Sequence, residues 1–313
     1  MSVTVEETGT FSPATVDALA AVAEQARAAD GAAPFSDDLW AQAKTARTSV
    51  ALHITEDNGQ LVGAAFVGRQ GDRAAAEVLV APPHRGAGHG GALVAALLGT
   101  ATGELWVWSH GDHPAARILA ERHRLDRVRE LLQLRRGLGP GTAPLPEPQP
   151  PAGLELRTFV VGQDEPAWLD VNNAAFAWHP EQGHLTLEDV RTAEAASWFD
   201  PQGFFLAVRD DQIVGYHWTK VHPRDPSPAP GADHADAPVG EVYVLGVAPE
   251  EHGAGIGRAL TAVGLRHLAA QPGVTTVMLY VEGDNAAALA VYERLGFEPY
   301  ATDVAYRRAA VDG

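Results

Sequence analysis

The chain has 313 residues, 46% of them hydrophobic, which is long enough for two domains with buried cores. Its 40 acidic and 23 basic residues give a net charge of −17, which argues against a nucleic-acid or anionic-membrane partner. The lack of cysteine excludes disulfides and cysteine-ligated metals. No apolar run approaches a membrane span and no signal peptide is recognisable, so we expect a soluble, cytoplasmic protein.

Hydrophobic patterning predicts alternating strands and helices in the first half. A strand near residues 3–7 precedes a helix at 13–30, and Asp57-Asn58-Gly59 predicts the turn of a hairpin. The remaining elements are a strand at 74–81, a helix at 88–99, a strand at 104–109, a helix at 113–123 and a closing strand at 127–135.

A proline-rich stretch at 137–153 predicts a semi-rigid linker between two domains. We place an N-terminal domain at 1–138, the linker at 139–152 and a C-terminal domain at 153–313. The second half is predicted to contain a strand at 154–161, helices near 164–176 and 186–197, a hairpin around Asp210-Asp211, a strand at 241–248, a helix at 255–269, a strand at 275–281, a helix at 285–295 and a strand near 302–307.

Two internal matches indicate a duplicated domain. VAPPHRGAGHG at 80–90 aligns with VAPEEHGAGIG at 247–257, at an offset of 167 residues. GDHPAARILAERHRL at 111–125 aligns with GDNAAALAVYERLGF at 283–297, at an offset of 172 residues. Because both matches occur in the same order at nearly one offset, we expect the two halves to share a fold.

Each glycine-rich loop follows a predicted strand and opens a predicted helix. Bare backbone there exposes N–H groups at the positive end of a helix dipole, where an anion can bind. A tight turn without a ligand is the alternative for one loop, and the duplication favours the anion site. GAGHGG at 86–91 also matches a dinucleotide fingerprint, but that motif follows the first strand of its domain, and several strands precede this one.

The loop at 85–90, RGAGHG, has the spacing Arg-x-x-Gly-x-Gly, and YVEGDNAAALAVYERLGF at 280–297 combines an Asn at a helix start with Tyr and Leu-Gly-Phe. With these motifs the chain resembles the GCN5-related N-acetyltransferase (GNAT) family over nearly its whole length. The resemblance implies an α/β (α+β) fold with two tandem domains, each a mixed, mostly antiparallel sheet flanked by helices. It also implies acetyl-CoA as cosubstrate, and no metal.

The resemblance places the coenzyme A pyrophosphate on the glycine loop, with one departure at His252, where the family has Gln or Arg. In the first half it implies acetyl-CoA contacts at Leu79, Val80, Ala81, Arg85, Gly86, Ala87, Gly88, His89 and Gly90. In the second half it implies contacts at Leu245, Gly246, Val247, His252, Gly253, Ala254, Gly255, Ile256, Gly257, Arg258, Asn285, Ala286, Ala287, Ala288, Leu289 and Ala290.

Acetyl transfer to an amine needs a base for the amine proton and a proton donor for the thiolate. The family's carboxylate near the fourth strand and tyrosine on the last helix imply Glu241 as base and Tyr292 as acid. Taken alone, Glu241 also fits a solvated carboxylate and Tyr292 a core aromatic. Strand alternation predicts that the side of Glu241 also holds Tyr243, Leu245 and Val247. The thioester oxygen is expected to bind a backbone N–H near Leu245.

The duplication also predicts that the two halves differ in activity. The repeat offsets place Ala74 where the second half has Glu241, and Ala120 where it has Tyr292. Arg85 and the glycines of the first loop are kept. We therefore expect the first half to be catalytically degenerate, with the ability to bind acetyl-CoA left open.

A closer resemblance, to tandem actinobacterial members of the family, rests on WHPEQG at 178–183, the signature at 279–297 and VRELLQLRR at 128–136. It implies a small-molecule substrate, the cysteinyl amine of cysteinyl-glucosaminyl-inositol. The acceptor contacts that it implies are Asp37, Glu181, Lys220, Glu241 and Tyr280. On the residues alone, Asp37 and Glu181 also fit helix caps or loops, and Lys220 fits a solvated charge.

Two other functions stay open on the residues alone. One is a tandem acetyltransferase for another amine, such as an aminoglycoside, a polyamine or a protein N-terminus. The other is an acetyl-CoA sensor without turnover. We expect a monomer, and we expect His179, His217 and His222 to have loop or surface roles, because no metal-ligand spacing connects them.

Overall fold

Strands and helices alternate along the chain in the order that the hydrophobic patterning predicts. The computed structural model describes residues 4–7, 10–45, 47–55, 59–100, 103–139, 141–177, 182–226 and 237–309. The elements of the N-terminal half are β1 (Thr4–Glu7), α1 (Pro13–Asp30), α2 (Asp37–Lys44), β2 (Val50–Thr55), β3 (Leu61–Gln70), β4 (Arg73–Val80), α3 (His89–Thr100), β5 (Leu105–Ser109), α4 (Pro114–His123) and β6 (Asp126–Gly137).

The C-terminal half repeats this order. Its elements are β7 (Glu155–Thr158), α5 (Glu165–Ala175), α6 (Leu187–Glu194), β8 (Phe204–Arg209), β9 (Gln212–His222), β10 (Val239–Val247), α7 (Ile256–Ala269), β11 (Thr276–Glu282), α8 (Ala286–Arg294) and β12 (Glu298–Arg308).

Local sequence signals account for several of these boundaries. Ser12 and Ser36 accept hydrogen bonds from the first turns of α1 and α2, and Gly31 ends α1 in the left-handed conformation. Asp210 and Asp211 have φ values of +50° and +59°, as the predicted hairpin between β8 and β9 requires. Asp57 and Asn58, at the turn predicted after β2, lie outside the described residues.

The chain divides into two units. Unit 1 comprises Met1–Leu131, Pro226–Ala235 and Ala301–Gly313, and unit 2 comprises Leu132–Asp225 and Asp236–Tyr300. The strand order is β1-β2-β3-β4-β5-β12 in unit 1 and β6-β11-β10-β9-β8-β7 in unit 2. The pairs β4–β5 and β10–β11 are parallel and the hairpin pairs are antiparallel, so each sheet is mixed and mostly antiparallel.

The closing strands do not follow the linear order of the chain. β6 enters unit 2 at Leu132, and β12 enters unit 1 at Ala301. Leu134 of β6 packs in the core of unit 2, while Ala305 of β12 pairs with Trp108 of β5 in unit 1. No motif in either strand indicated this exchange. The linear boundaries at 1–138, 139–152 and 153–313 remain a prediction.

Helices cover both faces of each sheet. In unit 1, α1 and α2 pack on one face and α3 on the other. In unit 2, α5 and α6 cover the α5/α6 face, whose core includes Trp168, Phe204 and Trp218. The opposite α7/α8 face has cores that include Leu260 and Leu279. Burying such a side chain stabilises the fold by about 1.5–3 kcal/mol before entropy is subtracted. Within the described residues, no helix has the length and hydropathy needed to cross a membrane.

Candidate functional site

The glycine loop of unit 2 connects Val247, the last residue of β10, to Ile256, the first of α7. Gly253 and Gly255 have φ values of +81° and +83°, which L side chains rarely adopt. A Cβ on either glycine would meet no atom within 4 Å, so the outer side of the loop is open. Among the residues that the structure describes, none caps the N-terminus of α7 with its side chain, which leaves the first N–H groups of this helix able to bind an anion.

A side chain ties each glycine loop to the strand before it. His252 Nε2 donates a hydrogen bond to the Val247 carbonyl oxygen at 3.1 Å. Arg85 Nε donates to the Val80 carbonyl oxygen, also at 3.1 Å. The repeat aligns Arg85 with His252 and Val80 with Val247, so the two side chains make the same contact. The departure at His252 therefore preserves the anchor of the loop.

Unit 1 keeps the open loop and has a cavity of about 340 Å³ beside it. Gly86 and Gly88 have φ values of +77° and +93°, and α3 begins at His89. The Arg85 guanidinium donates two hydrogen bonds of 2.7 Å to the Asp30 carboxylate. The apolar wall of the cavity includes Val78, Val94, Val107, Ile118 and Leu119. This loop shares with the loop of unit 2 two left-handed glycines and a helix that begins directly after them.

In both units, the strand before the glycine loop pairs only briefly with its parallel neighbour. In the described residues, β10 pairs with β11 at Gly240–Val242 against Val277–Leu279, and β4 pairs with β5 at Ala75–Glu77 against Trp106–Trp108. β10 continues to Val247 with β9 as its partner. Within the described residues, β10 and β11 have no paired residues beyond Val242 and Leu279.

A β-bulge at Tyr243 changes which side chains lie beside Glu241. The register between β10 and β9 shifts at this residue. Tyr243 packs edge-on against Trp198 of the α5/α6 face, with 5.0 Å between ring centroids, while Leu245 and Val247 pack with α7. The prediction that alternation places all four residues on one side was therefore wrong. An inserted residue breaks the two-residue period of a strand, so Leu245 and Val247 lie on the opposite face.

Glu241 lies on the α5/α6 face, with 6% of its surface exposed. Its Oε2 accepts a hydrogen bond of 2.7 Å from His222 Nε2. Lys220 is its cross-strand partner in β9. Burying a carboxylate is costly without such partners, so Glu241 is not a solvated carboxylate at the start of a strand. His222 was assigned a loop or surface role from the sequence, and the structure pairs it with Glu241 instead.

Lys220 lies among aromatic rings on the same face. Its Nζ is 4.8 Å from the ring centroid of Trp198 and 5.1 Å from that of Tyr243, both within the range of cation–π attraction. Burial and the charge of Glu241 raise the pKa of the Tyr243 phenol. Since 36% of Tyr243 is exposed, the cluster forms a partly open wall beside Glu241.

Tyr280 of β11 is 38% exposed, and a polar network that the sequence did not reveal holds it. Its hydroxyl accepts a hydrogen bond of 2.7 Å from Gln133 Nε2. Gln133 Oε1 accepts one of 2.9 Å from Arg135 Nε, and Arg135 forms a bidentate pair with Asp225 at 2.6 and 2.8 Å. Gln133 and Arg135 belong to β6, within the VRELLQLRR segment, so this strand contributes to the site of unit 2.

Tyr292 lies on α8, on the α7/α8 face, and packs edge-on against Phe297 with 5.6 Å between ring centroids. Burial raises the pKa of its phenol to about 12. Asn285 is the N-cap of this helix, and its Oδ1 accepts a hydrogen bond of 3.1 Å from the Ala288 N–H. Tyr292 and Glu241 thus lie on opposite faces of the sheet of unit 2.

The strand register refines the comparison with unit 1. Tyr243, the bulge residue, has no counterpart in β4, because β3 and β4 pair without a register shift. Upstream of the bulge the alignment therefore moves by one residue, and Ala75 rather than Ala74 takes the position of Glu241. Ala120, the residue aligned with Tyr292, lies on α4. Both candidate proton-transfer positions in unit 1 are alanine.

Helix α2 fills the space in unit 1 that corresponds to the surroundings of Glu241. Gly68 pairs with Ala75, and a Cβ on Gly68 would lie 2.7 Å from Leu39 Cδ2 of α2. Phe35 stacks on Trp40 beside them, with 5.1 Å between ring centroids. The first unit therefore lacks open space where the second has Glu241 and its partly exposed wall.

Two of the predicted acceptor contacts are less well placed. Asp37 is the first residue of α2, directly after the N-cap Ser36, and belongs to unit 1. Glu181 lies outside the described residues, as does His179.

His217 is fully buried and donates from Nδ1 to the Leu260 carbonyl oxygen at 2.8 Å, which corrects its expected surface role. Among the described residues, no group of three or more His, Cys, Asp or Glu side chains could hold a metal.

Comparisons with known proteins agree with this arrangement. The model of the acetyltransferase (GNAT) family matches residues 17–124 and 168–297. Proteins called mycothiol acetyltransferase from Kocuria rhizophila and Streptomyces coelicolor are 48% and 47% identical to this chain. The first alignment covers 93% of this chain and 95% of the relative, and the second covers 97% and 94%.

Solved structures show the same fold. A GCN5-related N-acetyltransferase from Sphaerobacter thermophilus superposes with a TM-score of 0.73 at 23% identity, over 99% of this chain and 96% of that one. A tandem GNAT protein from the clavulanic acid biosynthesis pathway superposes with a TM-score of 0.68 at 21% identity, over 100% of both chains. The predicted fold class, with two tandem domains of this type, is confirmed.

Proposed function

Because the chain belongs to the acetyltransferase (GNAT) family and is an acetyl-CoA-dependent N-acetyltransferase, we propose that it acetylates the cysteinyl amine of cysteinyl-glucosaminyl-inositol and so forms mycothiol. The observation that carries this proposal is the similarity, along nearly the whole chain, to relatives named mycothiol acetyltransferase. The resemblance carried by WHPEQG, which overlaps the undescribed residues 178–181, supports the same acceptor.

The backbone of unit 2 fits acetyl-CoA. The left-handed glycines and the uncapped start of α7 suit a pyrophosphate, so we assign it to residues 252–258. We assign the rest of the cosubstrate to residues 245–247, beyond the part of β10 that pairs with β11, and to residues 285–290 at the start of α8. Bound there, acetyl-CoA supplies the acetyl group as an activated thioester. Backbone N–H near Leu245 is assigned to the thioester oxygen.

Glu241 is proposed as the general base. An α-amino group has a pKa of about 8, so at neutral pH an acceptor amine of this kind arrives largely protonated and must lose a proton before it attacks. Glu241 lies on the α5/α6 face, where it can take this proton from a bound amine directly or through one water. Holding base and acceptor together also removes much of the entropic barrier.

Tyr292 is proposed as the general acid, which acts through a hydrogen bond to the departing sulfur. With a pKa raised by burial to about 12, its phenol stays protonated over the whole physiological range. A thiol titrates near pH 8.5, so Tyr292 acts mainly by donating a strong hydrogen bond to the thiolate as negative charge develops. The protonated phenol thus stabilises the leaving group without having to ionise.

The acceptor contacts proposed in unit 2 are Lys220, Glu241, Tyr280 and Glu181. Lys220 and Tyr280 support this, since both lie on the α5/α6 face and are held by neighbouring side chains. The contact of Asp37 with the acceptor, which the resemblance implies, stays a prediction. Unit 1 is proposed to keep acetyl-CoA binding through Arg85 and its glycines without turnover.

The test is acetylation of cysteinyl-glucosaminyl-inositol followed by product mass, because the acceptor's own thiol interferes with detection of free coenzyme A. Wild-type protein should add one acetyl group to the amine. Glu241→Gln should lower kcat/KM by about 10²–10⁴-fold, the usual contribution of a general base. Glu155→Gln, a change at an exposed carboxylate of β7, is the matched control and should keep full activity.

Each contrary outcome is informative. Acetyl-CoA binding without acetylation of this acceptor would overturn the substrate and turn the search to other amines or to a sensor function. Acetylation that persists in Glu241→Gln would remove Glu241 from the role of base.

A further inference from the structure

A histidine holds the carboxylate of Glu241 in unit 2. His222 is the last residue of β9, and its Nε2 lies 2.7 Å from Glu241 Oε2. Both side chains are largely buried, with 15% of His222 and 8% of Glu241 exposed. At this depth, a hydrogen bond fixes the rotamer of a carboxylate more firmly than water would.

The other nearby groups do not replace this contact. Lys220 lies directly across from Glu241, but its ammonium group is placed over the rings of Trp198 and Tyr243, at 4.8 and 5.1 Å from their centroids. Lys220 supplies positive charge, and the two rings form a wall beside Glu241. The directed hydrogen bond to Oε2 comes from His222.

Unit 1 provides an internal comparison. The pairing of β3 with β4 in unit 1 corresponds to that of β9 with β10 in unit 2. It places Gln70 at the position of His222 and Ala75 at the position of Glu241. Gln70 makes a different contact there, since its Oε1 accepts a hydrogen bond of 2.8 Å from Trp108 Nε1. Both members of the pair are thus present in the unit that keeps the candidate base, and both are absent from the unit that lacks it.

We propose that His222 is a positioning residue for proton transfer: it binds Glu241 Oε2 and leaves Oε1 to take the proton of the acceptor amine. The inference rests on the proposed function, because it assumes that Glu241 is the base. In this step the N–H bond of the amine breaks and an O–H bond forms at Oε1. The hydrogen bond from His222 keeps Oε1 aimed at the acceptor and is not itself broken.

The experiment compares His222→Leu, His222→Gln and Glu241→Gln, with the double variant His222→Leu/Glu241→Gln. His222→Leu should lower kcat by about 10-fold, part of what a general base contributes. The KM for acetyl-CoA should stay within about twofold, because its binding loop is untouched. His222→Gln should recover most of the activity, because its amide nitrogen can donate in place of Nε2.

The double variant separates positioning from a general structural effect. If His222 acts through Glu241, adding His222→Leu to Glu241→Gln should change kcat by less than about twofold, because the function it supports is already lost. Gln212→Leu, at the far exposed end of β9, is the control and should behave like wild type. Thermal unfolding of each variant reports any loss of fold.

The outcomes are distinct. Unchanged kcat in His222→Leu, failure of His222→Gln to restore activity in a folded protein, or a full 10-fold loss in both backgrounds would overturn the positioning role. A wild-type enzyme inactive on cysteinyl-glucosaminyl-inositol would overturn the proposed function, and the same variants would then be compared on an amine that it does acetylate. Inactivity on every amine would overturn both.

Discussion

The histidines of this chain show how surroundings decide what one residue type does. His217 is fully buried, and burial lowers its pKa to about 4, so it is neutral and serves the core. His252 anchors a loop through a backbone carbonyl, and His222 holds a carboxylate. In His110, burial alone would lower the pKa, but Asp303 and Glu77 outweigh it and raise it to about 10. Residue type and spacing could not separate these roles.

His110 makes the stability of unit 1 depend on pH. Its Nε2 lies 3.0 Å from Glu77 Oε1, and its Nδ1 lies 3.1 Å from Asp303 Oδ2. Because the folded pKa exceeds the unfolded value, the stabilisation is complete below pH 6.5 and is lost as pH rises toward about 10. The substitution His110→Gln should lower the free energy of unfolding by about 3 kcal/mol at pH 6, because it leaves the buried carboxylates without a positive partner.

Denaturant unfolding across pH 6 to pH 10 tests this expectation. Wild-type protein should lose stability over that range, and His110→Gln should lose far less. His184→Gln, at an exposed histidine, is the control and should follow the wild-type curve. A His110→Gln protein with the wild-type pH dependence would show that the buried pair does not contribute.

Tyr292→Phe tests the proton donor. The change keeps the packing against Phe297 and removes the hydroxyl, so stability should be unchanged while kcat falls by about 10²-fold. Because the pKa of Tyr292 is about 12, the phenol stays protonated up to pH 10, and the ratio of wild-type to variant kcat should be constant from pH 7 to pH 10. A ratio that shrinks above pH 9 would mean that the phenol ionises there.

At the scale of elements, the glycine loops are the clearest case of sequence dictating local structure. Gly253 and Gly255 adopt positive φ, where other residues are strained, and the space beside them is open. β10 is the opposite case. Its bulge at Tyr243 follows from how the strand fits between β9 and β11, and no local signal marked it.

Gly255→Ala tests the loop. The substitution meets no neighbouring atom, so its cost is the strain of a Cβ at φ +83°, about 1–2 kcal/mol. A loop that shifts to relieve this strain should raise the KM for acetyl-CoA by about 10-fold and leave kcat at saturation unchanged. Gly99→Ala, in the last turn of α3 and also without close neighbours, should instead leave stability unchanged or raise it by up to about 0.5–1 kcal/mol, and leave KM unchanged. Equal KM values in the two variants would contradict the assignment.

At the scale of the whole molecule, the two halves repeat one sequence pattern, but their closing strands are exchanged between the two units. The last strand of the chain closes the sheet of unit 1, and β6 contributes its second part to unit 2. Gln133 and Arg135, which support Tyr280, therefore belong to the site of unit 2 although they precede the proline-rich segment. The predicted domain boundary at 138 gives no indication of this contribution.

The exchange of the closing strands predicts how fragments of the chain behave. A fragment of residues 1–138 lacks β12, so β5 has an open edge, and the fragment should aggregate or stay unfolded. Residues 1–131 joined through a flexible linker to residues 301–309 should recover a cooperative unfolding transition. Circular dichroism and gel filtration of both fragments distinguish the cases. A folded, monomeric 1–138 fragment would favour the linear domain boundaries.

Much of this protein was determined by its sequence alone. The duplicated loops, the order of strands and helices, and the candidates Glu241 and Tyr292 follow from local spacing and from a family resemblance that those spacings carry. Such features can be predicted from sequence because φ preference, hydrophobic period and helix capping each depend on a few neighbouring residues.

Only the tertiary structure decided what depends on strand register and partner choice. Contact of His222 with Glu241 requires the pairing of β9 with β10, and the support of Tyr280 by Gln133 joins residues far apart in the chain. The face of Leu245 depends on a one-residue bulge, and the closing strands are exchanged between units. A shift of one residue in register reverses every side chain, and its free energy is set by the whole sheet rather than by local sequence.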